Sequence, residues 1–202
     1  MNKTHILPKQ RLLDTNGRCD LTDDELRTLT SFGMWARRSR DSAKYLEIGI
    51  YGGGTLKFMA DTVPGLFCTG IDLFEDLVVV NNTHDGGNYT MNDVYEFVGP
   101  MIRLIKGDSA TVLPVLNEKF DLIFIDGNHT YAATKIDLAN SLDILAPGGF
   151  IALHNCSPNG DPDWWHYNRE DGGPWQVACE LKANPDFVLL AEVDRLAIFA
   201  RR

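Results

Sequence analysis

No apolar run in the chain approaches the roughly 18 residues that a membrane span requires, so a membrane-spanning role is not expected. Cysteines are few and scattered. Cys19, Cys68, Cys156 and Cys179 form no CxxC pair, which removes a Cys-rich zinc site and leaves a reduced, cytoplasmic chain as the simplest expectation. The opening stretch MNKTHILPKQRLLD lacks the apolar segment of a signal peptide. Positive charge is also short: 19 Lys and Arg stand against 28 Asp and Glu, a net charge of −9. With no basic stripe to override that balance, a nucleic-acid partner is disfavoured. Internal repeats and low-complexity segments are absent.

What remains is the make-up of an ordinary globular chain. At 202 residues it suits one domain with a sizeable core. DLTDDELRTLTSFGMWARR reads as a helix capped by Asp20 or Thr22, inside an N-terminal helical extension over 1–44. Within it, Phe32, Met34 and Trp35 are expected in the core or at a dimer contact rather than on a ligand. From residue 45 to 202, short apolar runs alternate with stretches long enough for helices: YLEIG (45–49), LFCTGID (66–72), IRLIKGD (102–108), FDLIFID (120–126) and GFIALHN (149–155). FDLIFID has few interior polar residues, the mark of a strand covered on both faces. YAATKIDLANSLDILAPGG reads as a crossover helix with Ala132, Ile136, Ala139, Leu142 and Leu145 on its buried face, ended by Pro147-Gly148. FVLLAEV (187–193) and RLAIFAR (195–201) are too close for a crossover and must pair antiparallel. The expected fold is therefore α/β: a doubly wound, Rossmann-like, mostly parallel seven-stranded sheet closed by an antiparallel C-terminal hairpin. Two Gly/Asn/Asp-rich segments, 74–93 and 156–175, follow strand ends on the ligand-binding edge and are expected to form substrate loops.

Glu47-Ile-Gly-Ile-Tyr-Gly-Gly-Gly-Thr55 follows the first strand and would let a ligand lie on bare main chain at a helix N-terminus. It fails the dinucleotide pattern at Tyr51 and the phosphate-loop pattern for want of a lysine at 55. Glu47, Asp72, Asp108 and Asp126 lie at or near the ends of four successive strands, and a doubly wound sheet brings such positions to one edge. Pyrophosphate would be repelled there; a cation bearing a ribose would be attracted. Asp72 is placed for ribose hydroxyls. For any one of these acids, capping the following helix is an equal alternative, which the four together with the glycine loop weaken.

YLEIGIYGGGT, GIDLF, KGDSATVLP and FDLIFIDGNHTY…LAPGGFIALHN resemble the successive motifs of class I S-adenosylmethionine-dependent methyltransferases, over roughly residues 45–155. The pattern ID-x-x-H-x-Y…L-x-P-G-G…H-N is similar to the branch of small-molecule O-methyltransferases acting on antibiotic sugars and aminocoumarins, and more distantly to the catechol type. The resemblance implies S-adenosylmethionine as cofactor, with Gly49 and Asp126 near its methionine part, Asp72 on the ribose, and Asp108 and Ser109 near the adenine. Glu47, Tyr51, Gly52, Gly53, Thr55 and Leu73 complete the candidate cofactor-binding set.

A hydroxyl acceptor must lose a proton to a base or a Lewis-acid metal. His129, three residues past Asp126, is the residue type whose unperturbed range lies near neutrality, and the corresponding histidine of sugar O-methyltransferases acts as base. Its alternative role is to cap the helix that follows. Metal-dependent relatives join an acid after the fourth strand to two acidic or amide residues after the fifth; here the set is Asp126, His154 and Asn155. An imidazole in place of a carboxylate suits Mg²⁺ poorly and Mn²⁺ better, so a divalent metal is not favoured. Asp161, Asp163 and His166 could add ligands. Trp164 to Tyr167 could wall a small-molecule acceptor or simply anchor the loop. The expected activity is methyl transfer to a small-molecule hydroxyl, with Asp126 and His129 catalytic. The alternatives are an N-methyltransferase, an inactive cofactor-binding scaffold or partner subunit, and, already disfavoured by Tyr51, an NAD-linked dehydrogenase. The N-terminal region could support a homodimer.

Overall fold

The computed structural model describes residues 18–74, 89–157 and 173–202. Thr22 opens the first helix, α1 (Asp23–Ser39), through a capping box: its hydroxyl accepts from the Glu25 N–H while the Glu25 carboxylate accepts from the Thr22 N–H. Asp23 and Asp24 add negative charge where the helix dipole is positive, and Arg37 and Arg38 do the converse at the other end. The chain then runs β1 (Lys44–Ile48), α2 (Gly54–Thr62), β2 (Phe67–Asp72), α3 (Met91–Val98), β3 (Arg103–Lys106) and α4 (Ser109–Val112). It continues through β4 (Phe120–Ile125), α5 (Tyr131–Ile144), β5 (Leu145–Leu153), α6 (Gly173–Ala183), β6 (Phe187–Val193) and β7 (Leu196–Arg201).

All seven strands form one sheet in the order β3-β2-β1-β4-β5-β7-β6. β1 to β5 are mutually parallel, and β7 runs antiparallel to both β5 and β6. The expected architecture is thus the one observed. Strand order reverses between β1 and β4, and the crevice at their C-terminal ends is where open sheets of this kind bind ligands.

Side chains alternate between two covered faces. Tyr45, Leu122, Phe124, Phe150, Ala152 and Ile198 pack with Leu29 and Phe32 of α1, Leu56 and Met59 of α2, and Val94 and Val98 of α3. Leu46, Ile48, Ile123, Ile125, Ile151, Leu153 and Phe199 pack with Leu138 of α5 and Val177, Ala178 and Leu181 of α6. With both faces covered, every residue of β4 is buried, which accounts for its apolar run from Leu122 to Ile125.

The crossover helix departs from expectation. α5 buries Thr134, Asp137, Leu138, Ser141 and Ile144, whereas Ala132, Ile136 and Ala139 point outward. Choosing the face by small apolar residues missed it, because Ser109 of α4 meets Asp137 and makes a polar residue a buried one. Leu145 to Gly149 belong to β5 rather than to the helix end. Of the aromatic residues in α1, Phe32 is buried edge-on against Phe150, with ring centroids 5.1 Å apart, as a core contact should be. Trp35 leans on the same ring but is half exposed. Among the described residues no helix is long and apolar enough to cross a membrane.

Candidate active site

The turn after β1 is built around glycine. Gly49 has φ +78°, and a Cβ on it would stand 2.3 Å from the Asp126 carbonyl oxygen. Only a bare backbone lets the β1 and β4 turns touch. Gly49→Ala is therefore expected to cost at least about 1–2 kcal/mol from the left-handed backbone alone, before any clash. A thermal melt with and without S-adenosylhomocysteine should show both a lower Tm and a lost ligand-induced rise. Gly52 and Gly54 answer a different need. A Cβ on Gly54 would stand 2.5 Å from the Arg18 carbonyl oxygen, which accepts the Gly54 N–H at 3.0 Å. The Arg18 guanidinium donates to Gly52 O at 3.2 Å and lies over the rings of Tyr89 and Phe97. The close approach at these two glycines is thus made by the chain's own N-terminal segment.

The acids at the strand ends do different things. Asp72 holds the glycine turn: its Oδ2 accepts from Ile50 N at 2.7 Å and Tyr51 N at 3.1 Å, and its Oδ1 from Phe74 N at 2.9 Å. A carboxylate has about four lone-pair sites, so room for a further donor remains. Tyr51 and Leu73 flank it, both partly exposed, with Tyr51 edge-on to Tyr89. Asp108 caps α4 by accepting from Ala110 N, and Ser109 donates to Asp137 at 2.6 Å. Thr55 faces the Cys19 thiol at 3.3 Å. Gly53 starts α2 in a left-handed conformation.

Glu47 sits deeper than its neighbours, inside β1 and buried, and the Tyr45 hydroxyl donates to it at 2.8 Å. Burial pushes its carboxyl well above the usual carboxylate range, and the nearby charges of Asp126 and Asp72 add to that. Glu47 therefore lies beneath the edge, where burial favours its neutral form.

Asp126 is the centre of a cluster. Its Oδ1 is 3.2 Å from His129 Nε2 and 3.1 Å from His154 Nδ1. The other nitrogen of His154 lies 3.4 Å from Glu25 Oε1, an ion-pair distance without hydrogen-bond alignment. Burial alone would disfavour charge on Asp126, Glu25 and His154, but their surroundings outweigh it. Asp126 and Glu25 are held below the carboxylate range by the imidazoles, and His154 is pushed up to about 10 by the two carboxylates. His129 does not cap α5; Thr130 does, accepting from Ala133 N. Sequence reading missed Glu25, Tyr45 and Arg18. The spacing Thr22-x-x-Glu25 announced the capping box, but nothing in it signalled that the glutamate is buried.

A family model described as a methyltransferase domain matches residues 46–156, more than half of the chain. The chain belongs to the methyltransferase-domain family. Its sheet is that of the class I, S-adenosylmethionine-dependent methyltransferases, and solved structures agree on the fold. The O-methyltransferase NovP superposes with a TM-score of 0.67 at 14% identity, covering 91% of this chain and 82% of that one. A putative O-methyltransferase from Klebsiella pneumoniae gives 0.64 at 20%, covering 95% and 88%. MycE, a methyltransferase of the mycinamycin biosynthetic pathway solved with Mg and S-adenosylhomocysteine, gives 0.57 at 18%, covering 88% of this chain and 53% of its own. No curated protein matches this methyltransferase by sequence.

The donor set suits the cofactor better than it suits a metal. An accepting site on Asp72, the partly exposed Tyr51 and Leu73 and the Asp126 carboxylate fit a cation that carries ribose hydroxyls. Asp126, His154 and Asn155 do not make a cradle for a divalent ion. Both ring nitrogens of His154 face carboxylates, which push its pKa up to about 10 and favour the doubly protonated ring, a form with no lone pair to give. That leaves one carboxylate and the Asn155 amide oxygen, which is buried with no hydrogen-bond partner among the described residues. Among those residues no group of three or more His, Cys, Asp or Glu side chains could hold a metal. Asp161, Asp163, His166 and the aromatic run Trp164 to Tyr167 lie outside the described residues, as do most of the two substrate loops.

Proposed function

We propose that this methyltransferase moves a methyl group from S-adenosylmethionine to a hydroxyl of a small molecule, with His129 as general base and Asp126 orienting it. The observation that carries this reading is the 3.2 Å contact between His129 Nε2 and Asp126 Oδ1 at the crevice edge. Asp126 is held ionised, so it can only accept, and Nε2 must carry the proton. The proton of the acceptor hydroxyl then goes to Nδ1, and the imidazolium so formed is stabilised by the carboxylate behind it. When bound, S-adenosylmethionine supplies a methyl group already attached to a good leaving group. The chain's task is alignment and proton removal. Asp72 takes the ribose hydroxyls, Asp108 and Ser109 flank the adenine, and Gly49 and Asp126 border the methionine part. The fold shared with the O-methyltransferase NovP and with the putative O-methyltransferase from Klebsiella pneumoniae supports oxygen as the acceptor atom.

The test is incubation with S-adenosylmethionine and a panel of hydroxylated sugars and phenols, followed by mass spectrometry of the products. An O-methylated product is expected. Failure to bind S-adenosylhomocysteine at millimolar concentration in calorimetry would sink the reading. Since His154 is committed to two carboxylates, activity is expected to survive EDTA. Complete loss on chelation, restored by one divalent ion, would overturn the metal-free mechanism.

A further inference from the structure

Glu25 is a charge in an unexpected place. It belongs to the first turn of α1, ahead of the matched region, yet it is fully buried. Its helix-capping duty uses Oε2, which accepts from Thr22 N at 2.7 Å. Oε1 accepts from Arg195 N at 2.7 Å, in the turn between β6 and β7, and also faces His154. The alternation of the sheet explains why these groups meet. Leu122 and Phe124 of β4, and Phe150 and Ala152 of β5, point towards α1. Two residues further on, Asp126 and His154 emerge on that same face, just beyond the strands. The buried side of α1 is otherwise Leu26, Leu29, Thr30, Phe32, Gly33 and Ala36, so Glu25 is the one carboxylate it brings there. His154 is flanked on three sides: Asp126 within hydrogen-bond distance of Nδ1, Glu25 Oε1 at the ion-pair distance of 3.4 Å from Nε2, and the Phe124 ring at 5.9 Å between centroids.

We propose that Glu25 is a positioning residue of the acceptor side of the site. From α1 it fixes the His154 ring, and through that ring the Asp126 carboxylate that orients His129. This rests on the reading of Asp126 and His129 as the catalytic pair. It adds that the matched domain is incomplete without the helix preceding it. Capping alone would not require a buried acid: the N3 partner of a capping box is ordinarily satisfied at the surface. Nor is the carboxylate spent on Arg195 alone, whose guanidinium also reaches Asp20 at 3.1 Å.

The experiment observes the imidazole N–H groups by nitrogen-15 NMR in the full chain near neutral pH. It compares the wild type, Glu25→Gln and Thr22→Ala, each with S-adenosylhomocysteine binding measured alongside. The wild type is expected to show two ring N–H signals for His154. Glu25→Gln should lose the Nε2–H signal and displace the His129 resonances, with binding retained. Thr22→Ala, which removes the side-chain half of the same helix cap, should leave both rings unchanged. A single N–H on His154 in the wild type, or equal shifts in the two variants, would overturn the proposal. So would His129 resonances that ignore Glu25→Gln. If Glu25→Gln does not fold, the wild-type spectrum decides. No signal here depends on turnover, so a failure of His129 as base would show separately, in the kinetics of His129→Ala.

Discussion

His129→Ala lowers kcat for methyl transfer by about 10²–10⁴-fold, the range supplied by a positioned general base, while affinity for S-adenosylhomocysteine stays unchanged. The expected split follows from where the ring sits. His129 touches Asp126 at the outer edge of the crevice, whereas the glycine turn and Asp72 lie on the β1 and β2 side. Removing the imidazole takes away the proposed proton acceptor but none of the groups assigned to the ribose. Initial rates at saturating cofactor, with calorimetry on the same preparation, check both halves. A fall of less than about threefold in kcat would leave His129 as a loop residue, since even weak general bases contribute more.

His154→Leu destabilises the fold by about 3–5 kcal/mol, the usual cost of removing one partner from a buried charged group. For a chain of this length that is a Tm lower by about 6–20 °C. Leucine fills most of the space but leaves Asp126 and Glu25 facing each other with no cation between them. Stability against pH gives a second signature. His154 binds its proton more tightly folded than unfolded, with its pKa raised from 6.5 to about 10. Its stabilisation is therefore complete below about 6.5 and is lost as pH climbs towards 10. Asp126 and Glu25 are shifted the other way, so their contribution stands above the ordinary carboxylate range and is lost on acidification. Urea midpoints should thus decline from pH 7 to pH 10 in the wild type, and His154→Leu should lack that alkaline limb. A variant as stable as the wild type would show the ion pairs to be dispensable.

Much of this was legible in the chain. β4 could be read because two covered faces leave no polar position between Leu122 and Ile125, and the hairpin because two strands stood too close for any helix. α5 was found with only part of its buried face, Leu142 packing on the core as expected, since its buried Asp137 and Ser141 look like surface residues until Ser109 is placed beside Asp137. Asp126 and His129 could be paired by their spacing, three residues apart across a turn. The partner from α1 could not. Glu25 and His154 lie far apart in sequence, and no local pattern carries information about which helix will cover that end of the sheet. Glu47 was legible as an acid near a strand end, but the burial that raises its pKa is a depth that only packing reveals.

The contact between Glu25 and Arg195 spans 170 positions of sequence. It also fixes an order of events during synthesis. β7 is the last strand of the sheet to leave the ribosome, yet it lies inside the sheet, between β5 and β6. Until it inserts, β5 has an open edge beside His154, and Glu25 lacks the backbone donor of Arg195. The proposed acceptor side of the site therefore matures late, after the glycine turn made by β1, α2 and β2 has every part it needs. A nascent or C-terminally clipped chain would hold the cofactor half of its machinery first, with an unpaired strand exposed next to it.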